Sequence, residues 1–95
     1  MEIKVATRQI MDERGTPRFL RYYLTIELVE STRFCFEHYG VRICDQNGLS
    51  SCVPALTSSA TEIDELMTVL VENTVTPVTL EDVVQDWKSR VPASV

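Results

Sequence analysis

The sequence has no long apolar segment and no targeting signal. Its longest uninterrupted apolar runs are two or three residues, far short of the roughly 20 residues that a membrane-spanning helix needs. The N-terminus, Met1 to Lys4, lacks the basic region and apolar core of a signal peptide. We therefore expect a protein of the cytoplasm that does not engage a membrane.

Glycine and histidine are scarce, which limits the chemistry available to the chain. It has three glycines and one histidine, and it has neither a glycine-rich phosphate loop nor a nucleophile elbow. His38 could serve as a general base. Strand periodicity, however, places Cys35 on the opposite face and Cys44 about 20 Å along the same face. We expect no enzyme, no metal and no cofactor.

The three cysteines, Cys35, Cys44 and Cys52, are an odd number without a secretion signal, which indicates reduced thiols. Eight and seven residues separate them, and this spacing matches no zinc pattern built from close pairs. Structural thiols are the first interpretation. The alternative is a thiol-based or small-molecule sensor, with Cys35 or Cys44 as the reactive thiol.

Charge is distributed unevenly along the chain. Residues 1–50 hold seven acidic and seven basic side chains, whereas residues 51–95 hold seven acidic and only two basic ones. An acidic surface repels phosphate and suits a basic protein surface. The arginines and aromatics of the first half could form an RNA-binding sheet, but acidic residues are interspersed among them. We therefore expect a protein partner or a second copy of the chain, rather than nucleic acid.

The composition is that of one small globular domain, residues 1–95, with 44% apolar and 24% charged residues. The first half has strand periodicity, clearest between Leu20 and Leu28, where apolar residues occupy alternate positions. Gly40 predicts a bulge or a close backbone approach. The pattern predicts strands over about 2–12, 18–30, 33–44 and 49–56.

Asn47-Gly48 predicts a hairpin with a two-residue turn between the third and fourth strands. That turn would place Cys52 toward the core and Cys44 on the opposite face. Pro54 cannot donate to a strand ladder, so the fourth strand is predicted either to lie at an edge or to end there. The turn also predicts three facing pairs, namely Ile43 with Cys52, Val41 with Pro54 and Tyr39 with Leu56.

The second half changes to helical periodicity and predicts helices over about 60–73 and 80–90. Ser59 with Glu62, and Thr79 with Asp82, have the spacing of capping boxes. Thr76-Pro77 separates the helices. The fold class predicted is α+β, a four-stranded, mostly antiparallel meander followed by two short helices on one sheet face. The helical residues predicted to contact that face are Leu66, Leu70, Val83 and Trp87.

The sheet face away from the helices predicts an interaction surface, because a two-layer domain leaves it uncovered. The alternation places Tyr23, Val29, one of Phe34 or Phe36, and Val53 on that face. We therefore expect a small non-enzymatic protein-interaction or regulatory module, which binds either a partner protein or a second copy of itself as a homodimer.

A sequence motif, mainly over residues 59–87, carries a resemblance. Its residues are Tyr39-Gly40-Val41, Asn73, Val75-Thr76-Pro77, Leu80, Asp82-Val83-Val84 and Asp86. The segment 59–87 resembles the C-terminal half of a family of short, uncharacterised clostridial-type bacterial proteins, a domain of unknown function. The resemblance implies a bacterial source and the same small domain, and it implies no activity or site residue.

Overall fold

The fold is α+β, with a layer of helices on one β-sheet, as the periodicity predicts. The structure is a computed structural model, and it describes residues 1–90. All six predicted elements are present, each within two residues of its predicted bounds. They are β1 (Glu2–Met11), β2 (Pro17–Glu30), β3 (Cys35–Asp45), β4 (Ser50–Thr57), α1 (Ala60–Glu72) and α2 (Leu80–Arg90).

The four strands form one antiparallel sheet in the order β1-β2-β3-β4, so β1 and β4 are its edges. Both helices pack on one face, and the opposite face, here called the outer face, is uncovered. Val83 and Trp87 on α2 are half-buried and pack against the core, as predicted. Leu80 and Val84 are the buried residues of that helix. The fully buried core residues are Leu20, Tyr22, Val41, Ile43, Leu66, Leu70, Leu80 and Val84.

The β3–β4 register differs by one residue from the prediction, which was wrong. The loop has three residues, because the Asp45 amide donates to the Leu49 carbonyl at 2.9 Å. The Asp45 carboxylate accepts from the Asn47 and Leu49 amides, which stabilises this longer loop. A slip of one residue exchanges the faces of β4. Cys52 therefore lies on the outer face opposite Arg42, and Val53 faces the core opposite Val41.

Gly40 lies where three backbone segments converge. Opposite it, β4 bulges through residues 54–56, and Ala55 there adopts a left-handed φ of 54°. A Cβ on Gly40 would lie 2.5 Å from the Val53 carbonyl oxygen and 2.7 Å from the Thr25 hydroxyl. Both the bulge and the close approach predicted from Gly40 are present.

The helix starts form only part of the predicted capping hydrogen bonds. Ser59 accepts from the Glu62 amide at 3.2 Å, but the Glu62 carboxylate accepts from the Thr57 hydroxyl at 2.7 Å and not from Ser59. At α2, the Thr79 hydroxyl donates to the Thr76 carbonyl and leaves the Asp82 amide uncapped by it. The first capping box is therefore half-formed and the second is not formed.

The segment between the helices is tied to the sheet. After the last helical residue of α1, Glu72, Thr74 adopts a left-handed φ of 47°. The amides of Thr74 and Val75 donate back to the carbonyls of Val71 and Leu70, which is a Schellman motif. The buried Tyr22 hydroxyl donates to the Val75 carbonyl at 2.9 Å. This bond joins the helix connection to the middle of β2.

Strands β2 and β3 continue beyond the rest of the sheet. On the β1 side, pairing with β2 ends at Met1. The Met1 amine donates to the Ile26 carbonyl, and the Ile26 amide donates to the Met1 carbonyl. From Glu27 to His38 the two strands pair only with each other, and we call residues 27–38 the arm. The molecule measures 54 × 27 × 17 Å, and its radius of gyration is 14.5 Å. A compact domain of this length would have a radius of about 12.4 Å, and the arm is the extended part.

Candidate functional site

The arm exposes apolar side chains on both faces and at its tip. Ten of its twelve residues are exposed. Leu28 is 56% exposed on the face that the helices cover elsewhere. On the outer face Val29 pairs with Phe36 across the strands. Phe34 at the tip is 67% exposed. Apolar residues clustered on a projecting ribbon are typical of a binding surface.

Hydrogen bonds hold the tip of the arm in a defined turn. The Ser31 amide donates to the Phe34 carbonyl at 2.7 Å. The Ser31 hydroxyl accepts from the Phe34 amide at 3.0 Å. The loop is thereby reduced to Thr32 and Arg33. The backbone that presents the exposed Phe34 ring is already ordered, so it would lose little conformational freedom on binding.

The structure places the five residues of the predicted interface in three different environments. Val29, Phe34 and Phe36 lie together on the arm. Val53 packs against the core and does not belong to the outer face, because of the register difference. Tyr23 is on the outer face, but the Arg42 guanidinium covers its ring at 4.5 Å from the centroid.

Arg42 organises the middle of the outer face into a closed polar cluster. Its guanidinium makes a two-point ion pair with Glu2, with Nε–Oε2 and Nη2–Oε1 distances of 2.6 and 2.8 Å. These bonds lower the pKa of Glu2 and raise the pKa of Arg42. Nη1 also donates to the Cys44 sulfur at 2.7 Å. The polar groups in this part of the outer face bond to one another, which is typical of a structural contact rather than of a binding surface.

Leu28 is the arm residue that sequence reasoning missed. Its alternation with Ile26 and Leu24 placed it with the core-facing residues. It does lie on that face, yet no helix reaches it. The available signal was the length of β2, since 14 residues span about 46 Å at 3.3 Å per residue, more than a helix of 13 residues (about 20 Å) can cover.

A shallow apolar groove begins at the base of the arm and runs between α1 and β1. Its upper part is a cleft of about 340 Å³, lined by apolar residues that include Val5, Leu24, Ile26 and Met67. Its lower part, about 220 Å³, continues along α1 to Val71. The groove exists because α1 packs over β2, β3 and β4 and leaves the β1 edge largely uncovered.

The three thiols differ in accessibility. Cys35 is exposed at the end of the arm, Cys44 is buried beneath Arg42, and Cys52 is exposed on β4. Desolvation raises the pKa of Cys52, and the Glu2 carboxylate raises it further while Arg42 lowers it. Cys52 therefore has less of the reactive thiolate at neutral pH.

We predict that an alkylating reagent labels Cys35 first, Cys52 more slowly and Cys44 only after unfolding. Peptide mass spectrometry after timed labelling measures this order. A sensor based on Cys44 requires the reverse, namely fast labelling of Cys44 in the folded protein. A sensor based on Cys35 requires the Cys35→Ser variant to lose the oxidant response that Cys52→Ser retains.

His38 lies on the outer face of the arm, beside Glu27 and Phe36. It pairs with Glu27 across the arm, and its ring meets the edge of Phe36 with centroids 5.1 Å apart. Within residues 1–90 no group of three or more His, Cys, Asp or Glu side chains could hold a metal ion. The arrangement positions His38 as part of the arm's outer face.

Within the described residues no helix has the length and apolar character required to cross a membrane. A search of curated proteins found no match, and a search of solved structures found none either. One family model, described as a family of unknown function (DUF6514), matches residues 1–90. This match covers β1 to α2, a longer range than the segment that carries the sequence resemblance. The chain therefore belongs to the DUF6514 family.

Proposed function

We propose that the chain is a small, non-enzymatic protein-interaction or regulatory module of the bacterial cytoplasm, and that the arm is its binding element. One observation carries this proposal: a two-stranded ribbon projects from the core with exposed apolar side chains on both faces. An unsupported hairpin is only marginally stable in water. A partner that buries Leu28, Phe34 or Phe36 would stabilise it.

The charges of the arm support a protein partner over nucleic acid. The arm carries three carboxylates, Glu27, Glu30 and Glu37, against one arginine, Arg33. A surface that binds a phosphate backbone needs an excess of cations. The apolar side chains suit a protein surface, and that protein is either another chain or a second copy in a homodimer.

Substituting lysine on the arm is expected to abolish partner binding while preserving the fold. Leu28→Lys and Phe36→Lys each place a charge in the apolar surface, and lysine at position 28 lies opposite Glu37, so the hairpin pairing is retained. Val78→Lys is the matched control, because Val78 is 75% exposed on the connection between the helices. We expect thermal midpoints close to that of the parent chain for all three.

The measurement uses each variant as bait in lysate of the source cell, together with sedimentation of the purified proteins. The parent chain and Val78→Lys should retain the same binding protein, or the same dimer, and at least one arm variant should lose it. Identical capture and identical sedimentation for all four proteins would remove the arm from the proposal.

A further inference from the structure

We infer that the groove between α1 and β1 binds a cationic amphipathic helix of another protein. This inference rests on the proposed function, because it gives the interaction module a second binding element at the base of the arm. Among the residues that line the groove, Glu37 belongs to the arm, whereas Asp64 and Glu72 lie on α1. Substitutions on α1 therefore test the groove separately from the arm.

The floor of the groove has the apolar character that such a helix requires. Val5 is 48% exposed and borders both parts of the groove. Met67 and Val71 form the wall on α1, spaced one helical turn apart. A helix in a groove uses apolar side chains at intervals of three and four residues, and this lining matches that spacing.

The charged residues that line the groove are all acidic. They are Glu37 and Asp64 in the upper part, and Asp64 and Glu72 in the lower part. The Tyr39 hydroxyl donates to the Glu37 carboxylate at 2.9 Å and fixes that carboxylate at the rim. Asp64 and Glu72 are eight residues apart on α1, about 12 Å along its axis. Lysines or arginines two turns apart on a bound helix would meet both carboxylates.

The shape of β1 favours a helix over an added strand as the occupant. An added strand needs a regular row of free backbone groups on the sheet edge. The register of β1 shifts between Lys4 and Ala6, so Val5 forms a bulge in the middle of that edge. A bulge interrupts pairing. A helix satisfies its own backbone hydrogen bonds and needs only the side-chain surface.

Charge also favours another protein over a second copy of this chain. The first turn of α2 carries Glu81 and Asp82, and the exposed side of α1 carries Glu65. Helix α1 has four acidic and no basic side chains, and α2 has three acidic against two basic ones. Docking either helix of a second copy would therefore bring an excess of like charge to the groove. A helix with lysine or arginine on its polar sides supplies the opposite charge.

The test is binding of a designed peptide to the full chain, followed by fluorescence anisotropy. The probe has 13 residues, the length of α1, with leucines at helical spacing and lysines at the remaining positions. A second peptide replaces every lysine with glutamate. We expect the lysine peptide to bind and to gain helical circular dichroism, and the glutamate peptide to show no binding.

Two double variants with equal loss of charge decide whether the groove is the site. D64N/E72Q should weaken the lysine peptide about five- to tenfold, whereas E81Q/D82N on α2 should change its affinity less than about twofold. Equal weakening by both double variants, binding of the glutamate peptide, or absence of binding would each overturn the inference. Because the peptide assay leaves the arm unaltered, failure here alongside partner loss in Leu28→Lys would leave the proposed function standing.

Discussion

Gly40→Ala is expected to destabilise the protein by about 3 kcal/mol or more, a large part of the roughly 5–14 kcal/mol that a domain of this size has. The added methyl group would lie 2.5 Å from the Val53 carbonyl oxygen and 2.6 Å from the Pro54 Cα. Both atoms belong to the backbone of the β4 bulge, so relieving the contact requires moving the strand. Urea denaturation followed by circular dichroism measures the loss.

Gly15→Ala is the matched control for that experiment. Nothing lies within 4 Å of a Cβ built on Gly15, but its φ is 77°. Gly15→Ala should lower the free energy of unfolding only by the cost of placing a Cβ in the left-handed region, about 1–2 kcal/mol. If Gly40→Ala costs no more than Gly15→Ala, the close approach of β2, β3 and β4 is not as described.

Tyr22→Phe is expected to lower the free energy of unfolding by about 1–3 kcal/mol at neutral pH. It removes the hydrogen bond from the fully buried Tyr22 hydroxyl and leaves the Val75 carbonyl without that donor. Tyr23→Phe makes the same chemical change on the outer face and should cost less than about 0.5 kcal/mol. Equal costs for the two substitutions would show that the helix connection does not depend on this bond.

The same hydroxyl predicts a dependence on alkaline pH. Burial raises the pKa of Tyr22 from 10.0 to about 12, with a smaller opposing effect of Arg8. Between these values the unfolded chain has released a proton that the folded chain retains. The stabilising contribution is complete below pH 10 and is lost as pH rises toward 12, by at most about 1.4 kcal/mol per unit.

Denaturation of the parent chain and of Tyr22→Phe across this range measures the effect. The stability difference between the two should shrink as the pH rises. Parallel curves would contradict the assigned burial of the hydroxyl.

The periodicity of the sequence predicts the elements and the fold class because both depend on local patterns. Alternation over ten residues identifies β2, and the spacing from Ile63 to Val71 identifies α1. The β3–β4 register depends instead on one side chain, Asp45, which stabilises a three-residue loop over the predicted two-residue turn. That single contact moved Val53 from the predicted interface to the core.

The arm could not be predicted for a different reason. Alternation predicts which face of the sheet a residue occupies, but it does not predict how far the helices extend over that face. Leu28 follows the same alternation as Leu20, which is 1% exposed, and only the positions of the helices separate the two. The exposure of the proposed binding surface therefore depends on how far α1 extends over the sheet.

The motif that carries the sequence resemblance is mainly structural in this chain. Pro77, Leu80 and Val84 are buried, and the Val75 carbonyl accepts the bond from Tyr22. Of its exposed residues, Asp86 forms an ion pair with Arg90 at 3.0 Å. The motif therefore explains how the helices are connected and held, and the binding surface that we propose lies elsewhere in the chain.

Site-specific photo-crosslinking in the source cell tests the central claim, that the arm contacts a protein, most directly. A photoreactive residue is placed at position 28 in one strain and at position 78 in another. We predict a discrete crosslinked product from position 28 only, and its mass distinguishes a second copy from another protein. Crosslinking from position 78 alone, or equal patterns from both positions, would contradict the account.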